Sequence, residues 1–168
     1  FNLIKKRFLI NKIGYSTYNA YNLGKNQKIY KFDIVQLPLN IFSINEKKVK
    51  YLKKIKSKYK IELHARSIFL QGIALTNLKI VPNNLKKKIL LLKNFCNLKN
   101  INIYDFLISC IDNLKVLDYA IIGATSKNEY KNLIKYKFVK NINYVNCRKK
   151  FFIKNQKLID PRYWKFSY

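Results

Sequence analysis

No stretch of about 18 uncharged apolar residues occurs in this 168-residue chain, so a transmembrane helix is excluded. The segment Phe1–Ile10 alternates apolar and basic residues. It lacks the apolar core and small-residue cleavage site of a signal peptide. The three cysteines, Cys96, Cys110 and Cys147, are odd in number and widely spaced, with no C-x-x-C. That fits a reducing cytosol better than a disulfide framework or a zinc site, so a cytoplasmic location is expected. Cys96 and Cys110 stand among apolar residues and read as core thiols. Carboxylates are the scarcest charged groups: eight Asp and Glu against 35 Lys and Arg, for a formal net charge of +27. Such a field attracts polyanions at low salt. The lysines are scattered, arginines are few, and the abundance of Lys, Asn, Ile, Tyr and Phe is that of A/T-rich codons. Nucleic-acid binding beyond non-specific attraction is therefore not expected.

Two further absences bear on topology. Neither Asn-Gly nor Asp-Gly occurs, so the strongest short hairpin signal is missing. No Gly-x-Gly-x-x-Gly follows any strand, which argues against a dinucleotide-binding doubly wound sheet.

What is present is a repeated pattern of strand, polar loop and helix. Strands are expected at Ile10–Ser16, Ile34–Pro38, Ile61–Ser67 and Tyr119–Ile122, each with room for a crossover helix before the next. That predicts parallel pairing with right-handed crossovers. The residues Ser43-Ile-Asn-Glu46 read as a capping box opening a helix to about Tyr59, with Val49, Leu52, Ile55 and Tyr59 on its apolar face. A weak helix is expected over Asn19–Lys28. Leu85, Ile89, Leu92, Phe95 and Cys96 line another. Ile103, Phe106, Leu107, Cys110, Ile111 and Leu114 line the next. Ser126-Lys-Asn-Glu129 is a second capping box, for a helix to about Phe138. Residues 141–168 read as a basic, aromatic tail on a single domain covering 1–168.

The third strand separates barrel from open sheet. Leu63 and Ala65 share one face, and Glu62, His64 and Arg66 the other. Parallel strands in open sheets are normally apolar on both faces, because helices cover both. Polar groups on one face suit the inside of a barrel; the alternative is an exposed edge strand. Gln36, in the middle of Ile-Val-Gln-Leu-Pro, repeats the signal.

These segments, Gly14-Tyr-Ser16, Asp33-Ile-Val-Gln-Leu-Pro-Leu-Asn-Ile-Phe42, Glu62-Leu-His-Ala-Arg-Ser-Ile-Phe-Leu-Gln-Gly72 and Ile121-Ile-Gly-Ala-Thr-Ser126, resemble the aldo/keto reductases in order and spacing. The closing Asp160-Pro-Arg-Tyr-Trp164 resembles the end of the same bacterial branch. The resemblance implies an α/β fold: the C-terminal half of a (β/α)8 TIM barrel, four parallel strands with helices on the outer face. A whole barrel takes about 250 residues, so it also implies a truncated chain and a missing N-terminal half-barrel as partner. A start at Phe1 rather than Met agrees.

The function implied is hydride transfer between a nicotinamide cofactor, NADP or NAD, and a small carbonyl or alcohol substrate. The family's catalytic Asp, Tyr, Lys and His come from the first half, and none maps here. Tyr15, Tyr18 and His64 are the right residue types in the wrong places, so no catalytic residue and no metal site is assigned, and the chain alone is expected to be inactive. By the same resemblance, Ser16 and Gln36 would bond the nicotinamide carboxamide, with Thr17 in place of the usual Asn. Arg66 stands where an aromatic residue normally stacks on the nicotinamide. Ser67 and Phe69 fall near the cofactor phosphates, and Gly123, Ala124, Thr125 and Ser126 at a helix N-terminus suited to phosphate. NADP-preferring members carry an Arg where this chain has Glu129, which argues against a 2′-phosphate clamp. Neighbouring Lys127 would substitute for it in part. The alternatives are a degenerate barrel that binds without catalysis, or a basic nucleic-acid-binding module.

Overall fold

The computed structural model describes residues 2–164; Phe1 and the last four residues of the expected tail lie outside the described residues. Among the described residues seven α-helices and four strands follow one another. They are α1 Asn2–Phe8, β1 Gly14–Ser16, α2 Leu23–Tyr30, β2 Ile34–Pro38, α3 Glu46–Tyr59 and β3 Glu62–Arg66. Then come α4 Asn83–Leu98, α5 Ile103–Asp112, β4 Tyr119–Ala120, α6 Lys127–Ile134 and α7 Tyr144–Phe151. All strand pairs are parallel, and the sheet runs β1-β2-β3-β4 in chain order. That order and direction are what the crossover lengths predicted. A barrel would place eight such strands in a ring; this sheet has two open edges, one on β1 and one on β4.

Alternation along the strands divides the sheet into two unlike faces. Val35 and Leu37 on β2, with Leu63 and Ala65 on β3, are fully buried. They join Val49, Leu52 and Ile55 of α3 and the buried faces of α4 and α5 in one core. The opposite face of β2 and β3 carries Ile34, Gln36, Pro38, Glu62, His64 and Arg66, none of them buried. The helices therefore shield one face, and the polar face is left as a trough. Cys96, Cys110 and Cys147 are buried free thiols, and burial pushes Cys96 up to about 12. Their place is in the core packing, where a raised thiol is a poor nucleophile.

Several boundaries differ from the sequence reading for local reasons. Residues 2–8 form a helix, not the approach to a strand; Lys5 on it pairs with Asp33 at 2.6 Å. The strand expected from Ile10 begins at Gly14. The N-cap of α3 is Asn45, whose side chain accepts from Lys48 N–H at 2.8 Å, not Ser43. Ser43 instead closes a turn on Asn40. Helix α6 begins at the expected cap, Ser126, but stops at Ile134. The expected tail over 141–168 is not separate from the fold: it contains α7, whose Phe151 is fully buried in the core.

Two aspartates fasten the amino ends of the strands. Asp33 accepts from Ile13 N–H at 2.7 Å. Asp118 accepts from Leu63 N–H at 2.8 Å and pairs with Lys56 at 2.7 Å. Burial pushes the Asp118 carboxyl up, but the Lys56 ammonium and the Leu63 N–H outweigh it and hold it below its ordinary value. A lowered folded-state value means that the contribution is complete above the unfolded value of about 3.9 and is lost as pH falls through the folded one. In urea denaturation the wild-type chain should lose stability as pH drops below about 4, and Asp118→Asn should start less stable and fall less steeply. Equal slopes would remove Asp118 from this role.

Gly14 is required by a close approach. A Cβ there would stand 2.4 Å from the Ile34 carbonyl oxygen and 2.7 Å from Ile34 Cβ. The first obstacle is backbone, so β1 would have to move away from β2. Gly14→Ala is expected to cost about 1–3 kcal/mol in urea denaturation, and an unchanged midpoint would refute the tight β1–β2 pairing.

Candidate functional site

The parallel register sets polar side chains in a row across the trough. Ser16 pairs with Gln36, Gln36 with His64, and His64 with Tyr119. The His64 and Tyr119 rings meet edge to face at 5.0 Å. Along the row toward the amino end, Glu62 takes the Lys12 ammonium and lies 3.3 Å from His64 Nε2. Hydrogen bonding to Lys12 holds the Glu62 carboxyl below its ordinary range.

At the carboxyl ends, where parallel α/β sheets gather ligands, Arg66 reaches across β2 to β1. Its Nε donates to Ser16 Oγ at 3.2 Å. Its guanidinium lies 4.6 Å from the Tyr18 ring, and that of Arg162 lies 3.8 Å from the same ring. Asp160 holds Arg162 at 2.5 Å. The closing segment Asp160-Pro-Arg thus returns to the mouth of the trough, a placement that the sequence reading did not assign to it. Ser16 accepts from Arg66 and keeps its hydroxyl proton to donate. The Gln36 side chain makes no hydrogen bond among the described residues, so its donors and acceptor are open to a ligand. Together the two fit a carboxamide, which needs one donor and one acceptor set close together. Thr17 is engaged locally: its Oγ1 accepts from Asn19 N–H at 3.1 Å.

The remaining expected residues form a second group. Ser67, Phe69, Gly123, Ala124 and Thr125 line a cavity of about 460 Å³, together with Tyr104, Ile121 and Glu129. Phe69 packs edge to face on Tyr104 at 5.4 Å. The loop 67–72 holds Ser67, Leu70 and Gln71 at φ of 58°, 52° and 55°, and Gly72 at 81°. Non-glycine residues so far into the left-handed region cost energy, and such strain concentrates where ligands bind. Beside Gly123 there is open space where a Cβ would stand. Ser126 lies behind the cavity as the cap of α6, its Oγ accepting from Glu129 N–H at 3.2 Å. The Glu129 carboxylate accepts from Thr125 N–H at 2.7 Å and from Thr125 Oγ1 at 2.9 Å, bonds that hold it below its ordinary range. A carboxylate therefore already sits on one of the loop's anion-seeking N–H groups. The open donors and acceptor at Ser16 and Gln36 suit an amide better than the occupied Thr125 suits a phosphate.

One residue that the sequence reading quoted without assigning a role holds the two groups together. Asn40, 2% exposed, donates to Ser67 carbonyl at 3.3 Å and accepts from Phe42 N–H at 3.1 Å. It ties the β2–α3 turn to the end of β3. The signal was a polar residue between the apolar residues of Pro-Leu-Asn-Ile-Phe. Among the described residues no cluster of metal-ligating side chains occurs, and no helix is long and apolar enough to cross a membrane. No protein-family model matches the chain, and no curated protein does.

Asn40→Ala leaves the buried Phe42 N–H without a partner and takes one of two donors from the Ser67 carbonyl, which Leu70 N–H still reaches, and is expected to cost about 1–3 kcal/mol in urea denaturation. Retained stability would show that the turn does not depend on this side chain.

Proposed function

We propose that this chain is the cofactor-binding half of an aldo/keto-reductase-like (β/α)8 barrel. In this reading it binds the nicotinamide end of NAD or NADP on its polar trough, and the other half supplies the catalytic tetrad. The observation that carries this reading is the meeting of Ser16, Gln36 and Arg66 at the carboxyl ends of parallel strands, on the face that the helices leave uncovered. The two open sheet edges support it, since four more parallel strands joining β4 to β1 would close an eight-stranded ring.

The residues divide the work by position. Gln36 and the Ser16 hydroxyl proton orient a carboxamide, and Arg66 supplies a planar cation beside it. The loops 67–72 and 123–126 bound the cavity for the rest of the cofactor. The nicotinamide would supply the hydride for a small carbonyl substrate. Glu129, seated on Thr125, disfavours a 2′-phosphate and tilts the preference toward NAD.

The test is fluorescence titration of NADH and NADPH against the chain co-expressed with the first half of an aldo/keto reductase barrel. Both cofactors should bind at one site, NADH at least as tightly as NADPH. Gln36→Ala should weaken binding about tenfold, the value of one hydrogen bond of about 1.4 kcal/mol. Absence of binding, or binding indifferent to Gln36, would overturn the proposal.

A further inference from the structure

A second cavity, of about 360 Å³, lies on the other side of the 67–72 loop. It is enclosed by the loop after β1, the β2–α3 turn and the closing segment 156–163. Its wall is aromatic at Tyr18, Tyr21 and Tyr163. Its charged lining consists of Lys48, Lys157, Asp160 and Arg162. A cavity of this size is within the range that holds metabolite-sized molecules.

The charges do not balance. Asp160 is consumed by Arg162, which bonds both of its oxygens through Nε and Nη2. Lys48 has a single acceptor, the Ser43 carbonyl at 2.7 Å. The chain's other seven acidic side chains have partners elsewhere. Asp33 serves Lys5, Glu46 serves Arg148, Glu62 serves Lys12, and Asp118 serves Lys56. Asp105 takes the Lys137 N–H, Asp112 takes Lys115, and Glu129 takes Thr125. Among the described residues no carboxylate pairs with Lys48, and the one carboxylate in the cavity wall, Asp160, is taken by Arg162. A half-buried ammonium with one neutral acceptor calls for an anion, and the described residues pair none with it.

We propose that this cavity is a binding site for a small organic oxyanion, a phosphoryl or carboxylate group on a ring-sized body, with Lys48 as its principal cationic contact and Lys157 at the rim. Nothing in this site depends on the nicotinamide reading, and it shares only Ser67 and Gln71 with the lining of the other cavity.

The site carries its own pH signature. Burial lowers the Lys48 ammonium to about 8. An oxyanion favours the charged amine, so binding takes up a proton above that pH. Affinity should therefore fall as pH rises through about 8, approaching tenfold per unit beyond it. The other titratable groups that line the cavity are Tyr18 and Tyr21 from the loop after β1 and Lys157, Asp160, Arg162 and Tyr163 from the closing segment, while Glu46 is the carboxylate nearest in sequence on the Lys48 helix. Glu46 is committed to Arg148, and Asp160 to Arg162.

Calorimetric titration of the 168-residue chain with phenyl phosphate and, separately, benzoate tests this. The titrations are made at about 0.15 M salt, where diffuse attraction to a +27 chain is screened. One of the two probes should bind at one site, and the tighter one identifies the oxyanion. Lys48→Met should weaken it at least tenfold, and Lys48→Arg should restore it and abolish the loss at high pH. Lys87→Met, on the exposed face of α4, should bind as wild type. The proposal is overturned if neither probe binds, if Lys87→Met loses as much as Lys48→Met, or if the wild-type affinity is flat through pH 8. Circular dichroism of each variant confirms that a loss of binding is not a loss of fold.

Discussion

Pairing of β2 with β3 in parallel, Val35 opposite Leu63 and Leu37 opposite Ala65, is the constraint on which the rest of this structure depends. Those four side chains are fully buried against the helices. Because side chains alternate along a strand, burying them turns Gln36, His64 and Arg66 to the other face. A slip of one residue would put Gln36 in the core and Val35 in the trough, at a cost no local contact could offset. The polar row from Ser16 to Tyr119 is thus a consequence of core packing. The groups that would meet a ligand are held by the same hydrogen bonds that hold the fold.

Scarcity of carboxylates shapes the electrostatics. With 35 cations and eight acids, each acid has a structural position. Asp33 and Asp118 fasten strand ends, Glu46 anchors Arg148 of α7 to α3, and Asp160 folds the closing segment back on itself. Most lysines are left to solvent, where their charge costs little. Lys48 is different because it is half-buried in a cavity wall, and such a cation without a paired carboxylate marks a place where the charges of the described residues do not suffice.

Much of this was legible in the sequence because it rests on alternation and crossover length. Leu63 and Ala65 against Glu62, His64 and Arg66 gave the two faces of β3 correctly. The distances between apolar runs gave parallel order. What was not legible involves partners remote in sequence. Residues 2–8 mix apolar and basic residues without a clear period, and their helix is anchored by Lys5 on Asp33, far along the chain. Ser43 and Asn45 are both competent caps, and only the tertiary turn at Asn40 decides between them. The aromatic stretch after residue 141 reads as a tail because its burial depends on α4 and α5, against which Phe151 packs through Phe95 and Phe106. Likewise, Lys48 looks like one more lysine in a lysine-rich helix until the cavity wall closes around it.

The central claim is that the trough, not the helical face, receives the ligand. Nuclear magnetic resonance of the ¹⁵N-labelled chain titrated with nicotinamide mononucleotide measures this residue by residue. The account predicts shifts at the Gln36 side-chain amide, at the Arg66 Nε–H and at the backbone of Ser16, with the outward faces of α3 and α4 unmoved. Shifts confined to those helices, or none at Gln36, would contradict it.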